Sequence, residues 1–367
     1  MQEALYHPDF GYYTAHIDAL GPRGDFATTA TLTPLLAQSL GTFIQNNGGA
    51  GTRPRNPNPP KNLLGQQPPP SNTVRQERTQ SARANSASGC SVTLLEIGPG
   101  SGALARDLLA NLPWRLRRKT HLHLIEISPR LQSLQKQTLK KYQKQITWHT
   151  DITHALAAVA HPTQLVILSN ELVDAFPASV CEFDPDNNTW QKLHLAFTPD
   201  KGIKERLLPC PPPTKYSIPK TLNSRQRIEV HESYHDWQTS WVPRPGAEGA
   251  SECNDATLLT IDYGDTIDHL YHRRPQGTLR AYYRHQRFAG PDLYARFGKQ
   301  DLTADVNFSA LIDHGNELGL ETVSLQTQRE FILTQLPNTP PDHPLIDPHG
   351  PGTAFKVLHQ KPKPAPS

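Results

Sequence analysis

The chain has 367 residues, of which 36% are hydrophobic and 35 are proline, and its 37 basic and 34 acidic side chains leave a net charge of +3 with the 17 histidines neutral. That length accommodates a substantial core, but the low apolar content and high proline predict that part of the chain lies outside it. The near-balanced charge gives no case for a nucleic-acid or membrane partner. No run approaches the length of a membrane span, and the opening "MQEALYHPDFGYY" does not read as a signal peptide. Four scattered cysteines without a CxxC pair read as reduced thiols, so the expected location is cytoplasmic.

Residues 46–90 are rich in Pro, Asn, Gln, Ser and Arg, a composition that buries too little apolar area to offset chain entropy, and they are predicted to be a disordered insertion. "VTLLEI" (Val92–Ile97) then reads as a fully buried strand, followed by a glycine-rich turn and the helical pattern "ALARDLLANL". "HLHLIEI" (His121–Ile127) is a second strand; Ser128 and Pro129 are placed to cap and begin the next helix. "QLVILS" is a third strand and leads into "SNELVDAFP". Inserted elements are expected at about 178–250, with Pro209–Pro219 an extended connection. "ATLLTIDYG" (Ala256–Gly264) is a fourth strand, followed by a helix around Phe308–Leu318 and strands near Glu321–Thr327 and Thr353–His359. The tail, 361–367, is expected to be loose. Strand–helix alternation of this kind predicts an α/β fold with a parallel, doubly wound sheet, and ligands outside the carboxyl ends of its strands.

"EIGPGSG" (Glu96–Gly102) stands at such an end, where Gly98, Gly100 and Gly102 permit a tight turn and close ligand approach. Glu126 ends the next strand, placed to accept both hydroxyls of a ribose. A dinucleotide wants G-x-G-x-x-G and a helix N-terminus aimed at pyrophosphate. This loop lacks that spacing and begins with an acid, which suits the cationic S-adenosylmethionine better than NAD. Asp151 in "WHTDI" either meets an adenine amino group or caps "ITHALAAV".

The chain resembles the MidA-type S-adenosylmethionine-dependent methyltransferases, a family that includes the mitochondrial protein-arginine methyltransferase of complex I assembly. The resemblance rests on "ALYHPDFGYY", "GDFATT", "LLEIGPGSGAL", "IEISPRLQSLQ", "SNELVDAFP", "IDYG", "GTLRAYYRH", "QDLTADVNF" and "FKVL", nine motifs in order. It implies a class I methyltransferase fold (Rossmann-like, mostly parallel, seven strands) over residues 91–360, with residues 1–45 packing over the cofactor site. It implies S-adenosyl-L-methionine as cofactor, contacted also by Gly24, Asp25 and Phe26 of "GDF", and an arginine-containing protein as substrate. The carboxylate motif carries over to Asn170, Glu171 and Asp174. Two departures stand out: the family's Ser-Pro-acid run after "GDFATT" is replaced by Ala30, Thr31 and Leu32, and family members tend to begin with a further helical stretch, which marks Met1 as a candidate truncated or misassigned start.

Guanidinium is a poor nucleophile, protonated and delocalised, and two carboxylates on one surface can clamp and polarise it. Glu171 and Asp174 become such a pair if their segment takes one helical turn; otherwise Asn170 caps a short helix and the acids merely favour its dipole. His285 with Asp301, Thr303 and Asp305 are second-rank candidates, and the histidine could accept the proton released. Asp305 or Asn307 could instead cap the following helix, and Arg280 or Arg284 form surface pairs. "HESYH" (His231–His235) fits H-E-x-x-H, with Glu248 or Glu252 as a third zinc ligand, but its helix is short and the resembling family has no metal there. The reading is therefore an arginine methyltransferase, with a non-catalytic assembly factor that binds the same cofactor as the alternative, and a zinc hydrolase as a remote one. Oligomeric state stays open.

Overall fold

The computed structural model describes residues 1–17, 30, 33–47, 91–159, 163–198, 202–242 and 256–363. The proposed insertion therefore lies outside the described residues, apart from its first two positions, which complete the helix Leu35–Asn47. Also outside are Gly24, Asp25, Phe26, Glu248, Glu252 and most of the tail.

The strands are β1 (Ser91–Ile97), β2 (Thr120–Ile125), β3 (Ile146–His149), β4 (Thr163–Asn170), β5 (Ser179–Asp184), β6 (Thr189–Thr198), β7 (Gly202–Cys210) and β8 (Gln226–Val230), followed by β9 (Thr257–Asp265), β10 (Arg280–Tyr283), β11 (Gln286–Phe288), β12 (Asp301–Thr303), β13 (Val306–Asn307), β14 (Leu320–Thr327) and β15 (Phe355–Pro362). The central sheet runs β14-β15-β9-β4-β1-β2-β3, with short β13 paired to β9. Its strands are parallel except β15, which pairs antiparallel with both β9 and β14. From β1 the chain moves outward to β3, then returns to β4 and proceeds the other way. The order thus reverses between β1 and β4, and ligands of such sheets bind at that switch.

Burial on both faces explains why these strands read as unbroken apolar runs. Leu94, Val166 and Leu259 join one core layer with Leu104 and Leu108 of the helix Ala103–Asn111 and with Leu36 and Leu40 of the helix Leu35–Asn47. Their neighbours Leu95, Ile167 and Leu258 turn to the opposite layer, with Ile152 and Ala155 of the helix Ile152–Ala157 and with Trp241. Local signals hold at several ends. The Leu131 N–H donates to Ser128 Oγ at 3.4 Å, and Ala310 N–H to Asn307 Oδ1 at 3.2 Å, so Asn307 and not Asp305 caps that helix.

The inserted region forms a four-stranded antiparallel sheet, β7-β6-β5-β8, and takes in part of the expected connection, since Pro209 lies within β7. A three-stranded sheet, β11-β10-β12, packs near the end of β4, where Ala304 N–H donates to the Asp174 carbonyl at 2.9 Å. Among the described residues no helix is long and apolar enough to cross a membrane.

Candidate active site

Two clefts open at the carboxyl edge of the sheet. The first, of about 550 Å³, is lined by Glu96, Gly98, Gly100 and Glu126, by Asn170 and Glu171, and by Gln2, Tyr6, Tyr13 and Ala30 from the N-terminal part. Its size falls within the ~300–1,000 Å³ usual for small-molecule pockets. The second, of about 1030 Å³, is lined by Glu171, Asp174, Tyr263, Asp301, Thr303 and a set of basic side chains. Both clefts share Glu171 and Tyr13.

The loop after β1 turns sharply because Gly98, Gly100 and Gly102 all take positive φ, at 65°, 52° and 77°. Gly98 is also sterically confined: a Cβ there would stand 2.6 Å from Leu172 Cδ1. Gly102 does not line the cleft; it starts the helix Ala103–Asn111 in a left-handed conformation. Glu96 is buried, and burial pushes its pKa up to about 8. A carboxylate so short of solvation gains from a cation beside it, which fits the ammonium and sulfonium of S-adenosylmethionine. Glu126 is raised by burial to about 7, against hydrogen bonds that favour its ionised form. Ser128 N–H donates to its Oε1 at 2.8 Å and Gln135 Nε2 to its Oε2 at 3.1 Å, which fixes the carboxylate at the rim of the cleft. The residues present thus fit the cofactor. Asp151 does not line the cleft. It is half exposed and caps its helix, accepting from His154 N–H at 3.1 Å, the local alternative the sequence left open.

After β4 the ladder continues one residue further, with Glu171 N–H donating to the Ile261 carbonyl at 2.9 Å. Glu171 itself has φ of 51°, unusual for a residue with a side chain. Asn170 Nδ2 reaches its Oε1 at 3.3 Å, while Asn170 Oδ1 is buried without a hydrogen-bond partner among the described residues. The helical turn expected here is a 3₁₀ turn, Val173–Ala175, that begins after Glu171. The two carboxylates are therefore not stacked on one helix face. Asp174 points into the second cleft, where its Oδ2 accepts from the Tyr263 hydroxyl and from Thr303 Oγ1, the latter at 3.1 Å. Burial raises its pKa, opposed by those hydroxyls and by Arg280.

Asp262, near the end of β9, holds this loop, a role that its local sequence alone does not mark. One oxygen, Oδ2, accepts from three successive N–H groups, those of Leu172 at 3.2 Å, Val173 at 2.9 Å and Asp174 at 3.2 Å. The other accepts from Tyr263 N–H at 2.9 Å. Burial, with Asp174 and Glu171 nearby, raises the pKa of Asp262, and the N–H donors oppose the rise. Tyr13 and Asp301 were also missed as a pair: the Tyr13 hydroxyl donates to Asp301 Oδ1 at 2.7 Å, and burial lifts Asp301 to about 7. The available signal was an acid at the end of a central strand, "IDYG".

His285 stands with Arg284 at the two-residue tip of the β10–β11 hairpin, both at positive φ as such a turn demands, and is exposed at the mouth of the second cleft. Arg280 is no surface residue: it is buried, bonds Asp305 and lies 4.6 Å from the Tyr263 ring centre. In "HESYH" the helix begins only at Ser233, so the histidines do not share a helical turn. His231 is buried and stacked on Tyr234 at 4.3 Å, and its pKa is pushed down by burial to about 3, while His235 is exposed. Among the described residues no group of three His, Cys, Asp or Glu side chains is arranged to hold a metal ion.

Residues 77–326 match a family model described as S-adenosyl-L-methionine-dependent methyltransferase. The mitochondrial protein arginine methyltransferase NDUFAF7 of Rattus norvegicus is 25% identical over 337 residues, 85% of this chain and 64% of that one. Its Danio rerio counterpart is 25% identical over 355 residues, 90% of this chain and 71% of that one. The fold matches a crystal structure of a Burkholderia thailandensis protein bound to S-adenosyl-homocysteine, with a TM-score of 0.69 at 20% identity over 98% of this chain and 86% of that one. The expected cytoplasmic location is overturned, because these curated relatives are mitochondrial. Reduced thiols, on which that expectation partly stood, suit any reducing compartment and do not tell one from another.

Proposed function

The chain belongs to this family of S-adenosyl-L-methionine-dependent methyltransferases, and from that membership we propose that it methylates the guanidinium of an arginine in a protein substrate. The observation that carries this reading is the junction of the clefts at Glu171, between a loop suited to the cofactor and a wall of carboxylates. The relatives' name, protein arginine methyltransferase, supports the same acceptor. A respiratory complex I subunit is the substrate that the family resemblance implies.

When bound, S-adenosylmethionine supplies an electrophilic methyl on a sulfonium. Gly98 and Gly100 would let it approach the backbone, Glu126 would take the ribose hydroxyls, and Glu96 would meet its cationic amino acid end. Glu171 receives the acceptor guanidinium from the other side and holds one nitrogen toward the shared boundary; such positioning accounts for much of the acceleration in a displacement of this type. Asp174 and Asp301 line the same cleft as Glu171 and offset the positive charge of the incoming side chain. The proton lost on methylation passes to water at the mouth of the second cleft, where His285 is exposed.

Glu171→Gln tests the reading. Turnover on an arginine peptide library should fall about 10²–10³-fold, as for loss of one charge-stabilising group, with calorimetric affinity for S-adenosylmethionine kept within about twofold. Undiminished turnover would sink the proposal. Intact cofactor binding with no turnover even in the unaltered protein would leave an assembly factor.

A further inference from the structure

We propose that the second cleft selects arginines that stand among acidic residues, an inference that rests on the methyltransferase reading above. The cleft carries both signs of charge, with buried acids and exposed cations along one wall or another. Asp174 and Asp301 are buried; Glu171 also lines the cofactor cleft, and Asp301 accepts from Tyr13. The basic side chains Arg273, Arg274 and Arg287 are exposed.

Most of the cleft's cations are already committed. Arg274 and Arg280 both pair with Asp305, and Lys356 reaches Asp265 at 3.3 Å. Arg273 and Arg287 have no ion-pair partner among the described residues. Neither is on a loose tail: Arg273 is held at φ 57° and Arg287 sits in β11 opposite Tyr282.

Two uncompensated guanidinium groups beside a carboxylate floor repel a basic peptide while the floor attracts its arginine. An aspartate or glutamate flanking the target arginine resolves the conflict, because a carboxylate can pair bidentately with Arg273 or Arg287 and fix the register of the arginine. The cleft, at about 1030 Å³, is larger than one side chain requires and leaves room for such neighbours.

The test is methyl transfer by the full chain to three peptides, each with one arginine, flanked by aspartates, asparagines or lysines. From the aspartate to the asparagine peptide kcat/KM should fall about tenfold, and further for the lysine peptide, with the change in KM and weakened by salt. In the double variant Arg273→Glu, Arg287→Glu the order should invert while affinity for S-adenosylmethionine stays the same; both positions are exposed, so the fold should survive. Equal rates on the three peptides, or an unaltered order in the variant, would overturn the inference and leave arginine methylation standing. Methylation of none of them, by protein that binds the cofactor, would overturn both.

Discussion

The loops after β1 and β4 leave neighbouring strands at the same edge of the sheet, and each turns through left-handed backbone. They reach it by different means. The first uses glycines at 98, 100 and 102, for which positive φ carries no steric penalty. The second places Glu171 there, where a side chain costs about 1 kcal/mol or more, and holds the following residues through the Asp262 carboxylate. One loop is shaped by its own composition, the other by a strand 90 residues later. They also touch, since Leu172 closes the space beside Gly98.

The largest expected effect follows from removing that external support. Asp262→Ala leaves the N–H groups of Leu172, Val173, Asp174 and Tyr263 without their acceptor. A buried orphan costs about 1–3 kcal/mol and those of Val173 and Asp174 are buried, so a loss of about 3 kcal/mol in urea melts is expected. Turnover should fall more than cofactor affinity, because the β1 loop keeps its own shape. Equal damage to both would show that the two loops behave as one unit.

The same contrast explains what could be read in advance. The apolar strands, the Ser128 and Asn307 caps and the EIGPGSG turn are local, so the sequence carries them openly. The partnership of Asp174 with Tyr263 and Thr303, and of Tyr13 with Asp301, joins residues 89, 129 and 288 positions apart. Nothing in local spacing encodes such pairs, and helical spacing misplaced Asp174 because a 3₁₀ turn starting after Glu171 breaks the assumed period. Asp151 was the opposite case, where the local cap was sufficient.

A smaller effect comes from pH. Glu96 is raised to about 8 and Glu126 to about 7 by burial, above ordinary values near 4.5. Their protonated forms suit the folded state without cofactor. That contribution to stability is fully present below about pH 4.5 and is lost as pH rises through 7 and 8. Cofactor affinity should run the other way, since the cation wants Glu96 ionised: it should strengthen by up to ~10-fold per pH unit below pH 8 and then level off. Calorimetry from pH 6 to 9 checks this, and Glu96→Gln should flatten the profile. A flat profile in the unaltered protein would remove Glu96 from the cofactor's cationic end.

The smallest effect is the most specific to the comparison. Glu171→Gly relieves the left-handed strain while loosening the unfolded chain and losing the bond from Asn170, so the net gain in stability should be at most about 1 kcal/mol. In a chain of this length that is a rise in Tm of only ~2 °C. Gly98→Ala should move the opposite way and further, because it adds both the strain and a collision with Leu172. Measured side by side, the pair separates conformation from chemistry. Glu171→Gly should yield a more stable protein that binds cofactor and transfers no methyl. If instead it is destabilised, the left-handed Glu171 is a conformation that its carboxylate contacts require, and function and fold at this position are one constraint rather than two.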